Sequence, residues 1–135
     1  KLYKKMKQFL LKLPPYLPSV IVLMLLFYLT LVPQPLPPIE EPFLNFDKLV
    51  HVVMMAGVYL TLAFDYTRRE RQHRLPLSVI FVLLVIVVLL GGFIELAQGT
   101  EFIHRGCDLW DFIADAVGAI LASVVARRVM RFIIS

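Results

Sequence analysis

The sequence predicts an all-α membrane protein: four transmembrane helices in a single domain over residues 1–135, preceded by a short amphipathic helix at the interface. Three observations predict it. Of the 135 residues, 59% are hydrophobic and 18% charged, against about half and about a quarter in a soluble domain. Four apolar runs are spread along the chain, and a mean hydropathy of +0.79 leaves too little polar surface to cover a globule in water. Twelve of the fourteen lysines and arginines fall in three segments that alternate with pairs of those runs. The same numbers argue against a disordered chain, and a single cysteine, Cys107, argues against a disulfide scaffold. The formal charge of +4 is too segregated to indicate a nucleic-acid partner.

The elements follow in order. Leu2, Met6, Phe9, Leu10 and Leu13 share one helical face and the lysines take the other, the pattern of a helix lying on an anionic leaflet. The apolar runs predict helices at about 16–32, 49–66, 77–98 and 109–126, since a hydrocarbon core of about 30 Å takes roughly 20 helical residues. Backbone groups in lipid must bond internally, so such runs are helices, and the alternating ten-residue segments of a β-barrel are missing. A signal peptide is the competing reading of the first run, but no small-residue cleavage site precedes Pro33. The stretch Pro33-Gln34-Pro35-Leu36-Pro37-Pro38 reads as a stiff extended spacer. Pro76 stands where the third run begins, a position that tolerates proline.

Orientation follows from the basic residues. Lys1, Lys4, Lys5, Lys7 and Lys12 precede the first run, Arg68, Arg69, Arg71 and Arg74 lie between the second and third, and Arg127, Arg128 and Arg131 follow the fourth. Four spans bring all three groups to one side, which the positive-inside rule makes the cytoplasm. Both termini and His73 are then expected inside, with Gln34 and Glu101 outside.

The polar residues of the other side form a pattern. Asp47 and His51 are four apart and Lys48 and His51 three apart, so these side chains can meet on one helical face. Glu95 lies near the outer end of the third run, with Gln98 one turn past it on the same face; Arg105, Asp108 and Asp111 lead into the fourth, and Asp115 sits a turn deeper. One by one these residues have an anchoring explanation: Lys48 and Arg105 snorkel, Asp47 caps a helix, and Asp108 or Asp111 favours a helix N-terminus. Anchoring does not require Glu95, Gln98, Asp111 and Asp115 to project from the inner turns of two helices, and charges near lipid are costly unless paired or functional. The nine residues Asp47, Lys48, His51, Glu95, Gln98, Arg105, Asp108, Asp111 and Asp115 are therefore the candidate ligand-binding set. Ala114, Gly118, Ala122 and Ala126, with Gly91, Gly92 and Ala97 around Glu95, predict close packing of the last two helices.

Asp47-Lys48-Leu49-Val50-His51, then Glu95-Leu96-Ala97-Gln98, then Arg105-Gly106-Cys107-Asp108-Leu109-Trp110-Asp111 with Gly118 resembles the VanZ-like family in order and spacing. Two positions depart from the family pattern. Met55 stands where a tyrosine is frequent, with Tyr59 a turn later, and Asp115 stands where asparagine is usual. The resemblance implies a bacterial envelope protein of the cytoplasmic membrane, associated through the family's namesake with resistance to the lipoglycopeptide teicoplanin.

Two classes of function are then open. In the first the chain is a binding or protective factor. Lys48 and Arg105 grip a phosphate or carboxylate of a membrane lipid, a lipid-linked wall precursor or a lipoglycopeptide, while Glu95, Gln98 and the aspartates accept hydrogen bonds. In the second it is an intramembrane enzyme on a lipid-linked substrate, with Asp47, His51 and Glu95 as catalytic candidates: His51 is the general base, oriented by Asp47. No serine or cysteine nucleophile is placed by motif, and nothing marks Cys107 as activated. A metal set drawn from His51, Glu95, His104 and Asp108 has no recognised ligand spacing, so no metal and no cofactor is expected.

Overall fold

The computed structural model describes residues 1–33, 46–70, 74–103 and 106–134. The expectations for the proline-rich spacer beyond Pro33, and for His73, His104 and Arg105, lie outside the described residues. Among the described residues five helices follow one another: α1 (Leu2–Lys12), α2 (Leu17–Leu31), α3 (Phe46–Arg69), α4 (Leu77–Gln98) and α5 (Leu109–Ile134). Among the described residues there is no strand.

Three of these helices, α3, α4 and α5, are long and apolar enough to cross a membrane, and the total is four if the bent pair α1–α2 is counted as one span. Alone, α2 has 15 residues, about 22 Å at 1.5 Å per residue. It is shorter than the predicted run at both ends. Tyr16 takes a left-handed conformation (φ 65°) and Val32 an extended one ahead of Pro33. Pro14 and Pro15, which cannot donate to a helical ladder, fill the elbow before it, and α1 leaves α2 at 88°. On α1, Leu10 packs on the core while Leu2, Met6 and Phe9 stay exposed.

The predicted bounds of α4 and the observed ones coincide, because Pro76 and Gly99 punctuate both ends. The helix α5 instead continues eight residues past the predicted end at Ala126, carrying Arg127, Arg128 and Arg131 within it. Arg127 ends the apolar run without ending the helix: its Nε donates to the Leu75 carbonyl at 2.9 Å. Likewise α3 extends past both predicted ends to include Asp47, Lys48, Arg68 and Arg69.

The core lies where α3 is packed among α2, α4 and α5, around Met55, Val58, Tyr59, Ala63, Val87, Ile94, Ala119 and Ala122. The small residues Ala114, Gly118, Ala122 and Ala126 are all buried. Their closest approach is to α3 rather than to α4, where the sequence pointed. A Cβ at Gly118 would lie 2.3 Å from the Val52 carbonyl oxygen, so the two backbones meet there and only glycine fits. The helix α4 reaches α5 through Gly91, set against Asp115, and Gly92, set against the Phe112 ring. The outer faces stay apolar and exposed, with Leu89, Phe93, Leu96, Leu121 and Val124 more than half open. Contiguous apolar surface of that kind suits lipid, not water.

Candidate functional site

The helices α3 and α5 begin at the end of the bundle where α4 finishes. Two N-termini thus meet one C-terminus. An N-terminus carries a partial positive charge and favours carboxylates, which suits Asp47, Asp108 and Asp111; a C-terminus carries a partial negative charge and disfavours Glu95.

The first turn of α3 supplies the cation. The Lys48 ammonium donates to Asp47 Oδ2 at 2.9 Å, to Asp108 Oδ2 at 2.8 Å and to Asp111 Oδ1. Asp108 also caps α5: its Oδ1 accepts from the Trp110 amide at 2.8 Å. Both contacts hold the Asp108 carboxyl below its ordinary range, the Lys48 hydrogen bond most and the Trp110 amide next. The Asp108 amide in turn donates to Glu95 Oε2 at 3.1 Å, which ties the last turn of α4 to the start of α5.

One turn deeper the imidazole of His51 shares a hydrogen bond with Asp115, Nδ1 to Oδ1 at 2.9 Å. An ionised Asp115 accepts from Nδ1–H, and the neutral ring then keeps its lone pair on Nε2. That nitrogen lies 3.8 Å from Asp111 Oδ2. Glu95 and Asp115 form the buried floor, 3% and 2% exposed, while Asp47 and Asp108 stand half open at the mouth. Among the described residues, Glu95 Oε1 is the buried side-chain oxygen with no hydrogen-bond partner. One donor atom each from His51, Glu95 and Asp111 lies within 4.8 Å of the other two.

Seven of the nine predicted site residues gather here: Asp47, Lys48, His51, Glu95, Asp108, Asp111 and Asp115. Arg105 lies outside the described residues. Gln98 points away; it is buried, and its Nε2 donates to the Thr30 carbonyl of α2 at 2.9 Å. Asp47 does not orient His51 as expected, because Lys48 engages Asp47 and Asp115 holds the ring. Lys48 neither snorkels nor stands free to grip a phosphate, since three carboxylates surround it. Tyr59 is remote from the cluster, its hydroxyl donating to the Ile80 carbonyl at 2.9 Å, whereas Met55 packs beside Gly91 near Asp115.

A second polar cluster, unforeseen in the sequence, occupies the other end of α3. The start of α2 has no side-chain cap of its own. Asp65 supplies one from α3: its Oδ2 accepts from the Ser19 amide at 3.1 Å and from the Ser19 hydroxyl. Arg68 donates to Asp65 Oδ1 at 3.1 Å and to the carbonyls of Leu10, Leu13 and Pro14 at 2.8–2.9 Å, so it fastens the α1–α2 elbow. The signal that could have found this brace is an Asp-x-x-Arg pair on one helical face opposite a helix start that lacks a capping residue.

No known family model matches the chain, and no curated protein or solved structure matches it.

Proposed function

We propose that this chain is a multi-pass protein of a bacterial cytoplasmic membrane, with four spans and both termini inside. Its acidic cluster opens on the outer side and binds a lipid-linked wall precursor or a lipoglycopeptide. In this reading it is a VanZ-like protein, and binding contributes to tolerance of teicoplanin. The observation that carries the reading is the separation of charge along one bundle. Glu95, Asp108, Asp111 and Asp115 meet at one end, and Arg68, Arg127, Arg128 and Arg131 stand toward the other. A cluster with a half-open mouth and a buried polar floor, at the boundary of lipid and water, suits a ligand whose head is polar and whose tail is apolar. Because Lys48 is already engaged, the cluster is suited to the hydroxyl, amide and amine donors of such a head rather than to a bare phosphate.

A second reading rests on one contact. The His51–Asp115 hydrogen bond is the arrangement of an oriented general base, which favours an intramembrane enzyme acting on a lipid-linked substrate. Turnover of such a substrate by purified protein separates this from binding alone.

Two experiments test the main reading. Single cysteines at positions 34 and 101, in a background lacking Cys107, are expected to label from outside intact cells, and one at position 73 is not; outside labelling at 73 overturns the topology. Glu95→Gln and Arg105→Lys are expected to insert and accumulate normally yet lose teicoplanin tolerance. Lysine lacks the planar fork of arginine, and glutamine lacks the charge. Full tolerance in both variants at normal abundance reduces the cluster to anchoring.

A further inference from the structure

We propose that His51, Glu95 and Asp111 bind a divalent transition-metal ion of the Zn²⁺ or Mn²⁺ kind, a site that stands independently of the envelope reading.

Each of the three residues is held by one of its atoms and has another to offer. His51 is fixed through Nδ1 by Asp115, leaving Nε2. Asp111 is fixed through Oδ1 by Lys48, leaving Oδ2, 3.8 Å from that nitrogen. Glu95 is fixed through Oε2 by the Asp108 amide, leaving Oε1 buried and unpartnered. A carboxylate on the far nitrogen of a ligating histidine is a recurrent support in metal sites, since it sets the tautomer and raises the basicity of the ring. Two donors each about 2.0–2.2 Å from one ion stand about 3–4 Å apart, so the observed spacing needs only a small adjustment.

Charge points the same way. Among the described residues, Asp47, Asp108 and Asp111 surround the Lys48 ammonium, Asp115 engages His51, and Glu95 faces the negative end of its own helix. A buried carboxylate oxygen without a donor is costly, and a divalent cation among three donors removes that cost directly. One imidazole with two carboxylates suits Zn²⁺ or Mn²⁺, whereas Mg²⁺ and Ca²⁺ prefer oxygen alone. The ion would leave coordination positions open toward the mouth, where Asp47 and Asp108 are half exposed.

The test uses the full chain in detergent, stripped with a chelator and dialysed against Zn²⁺, Mn²⁺ or Mg²⁺. Bound metal is measured by elemental analysis and stability by thermal melting. The wild type is expected to retain one Zn²⁺ or Mn²⁺ per chain and to melt at a higher temperature with it, as any ligand of the native state requires. Glu95→Gln, Asp111→Asn and His51→Gln are each expected to bind at least tenfold more weakly, while Glu70→Gln, exposed at the far end, binds as the wild type does. Three results overturn the proposal: no retained ion together with no melting shift in the wild type, Glu95→Gln binding equal to the wild type, or equal affinity for Mg²⁺. Should a variant fail to fold, Co²⁺ added to the wild type decides: an imidazole–carboxylate site retains the ion through dialysis with d–d bands shifted and strengthened relative to aqueous Co²⁺, and a spectrum equal to that of the aqueous ion overturns the proposal.

Discussion

Asp65 and Glu95 are both 3% exposed, on neighbouring helices of one bundle, and the structure surrounds them differently. Around Asp65 both oxygens are filled: one takes the amide and hydroxyl of Ser19, the other the guanidinium of Arg68. Around Glu95 one oxygen takes the Asp108 amide, and the other is bare. The two clusters lie about 26 Å apart along α3, taking Lys48 to Asp65 at 1.5 Å per residue. Burial alone therefore does not distinguish a brace from a site. Completeness of hydrogen bonding does, because a filled carboxylate has nothing left to offer a ligand and a half-filled one does.

The sharpest way to break the comparison is to remove the brace. Arg68→Ala strips Asp65 of its cation and three carbonyls of their donor, and loss of one partner of a buried pair costs about 3–5 kcal/mol. The folded yield in detergent is expected to collapse, and a normal melting temperature would show that the elbow stands without it. Next comes the seam that carries the site. Gly118→Ala forces the α3 and α5 backbones apart at Val52, an overpacking worth about 2–3 kcal/mol. Melting of the purified variant measures it, and an unchanged midpoint would mean that the helices do not touch as described.

Smaller effects sharpen the other side. Asp115→Asn keeps an acceptor for His51 but removes its charge, so Zn²⁺ affinity is expected to fall about tenfold with little change in fold; equilibrium dialysis checks it. The smallest effect is a pH dependence. Asp108 has a carboxyl held low in the native state, so the stability it adds is present above its ordinary value of 3.8 and is lost as pH falls through the lowered one. The melting difference between the wild type and Asp108→Asn should therefore shrink on acidification. A difference that grows instead would reverse the sign.

Much of the fold was legible because lipid permits few options. Long apolar runs must be helices, and where Pro76 and Gly99 bounded one, its ends were legible to the residue. Ends marked only by charge were not, because Arg127 and Arg68 reach carbonyls with their heads while their backbones stay helical. The site was legible at the level of which helix ends meet, since spacing along α3 puts Asp47, Lys48 and His51 together. Which partner each side chain takes was not, because Asp115 rather than Asp47 meets His51 only after α5 has packed on α3 at Gly118. Gln98 was misplaced for the same reason. A turn of spacing set it beside Glu95, while the Thr30 carbonyl that draws it away belongs to α2. The brace at Asp65 was hidden because its value depends on an uncapped helix start 46 residues earlier.

The most direct test compares two neutral substitutions by melting temperature in metal-free detergent solution, Asp65→Asn and Glu95→Gln. Asparagine at 65 loses the charge that holds Arg68, and a charge-assisted hydrogen bond is worth about 1.5–3 kcal/mol, so this variant is expected to melt lower than the wild type. Glutamine at 95 can still accept from the Asp108 amide and replaces a buried carboxyl whose other oxygen has no donor, so this variant is expected to melt no lower than the wild type. If Glu95→Gln instead melts as low as Asp65→Asn, the acidic cluster around Glu95 is a second brace and the contrast between the two ends of α3 is wrong.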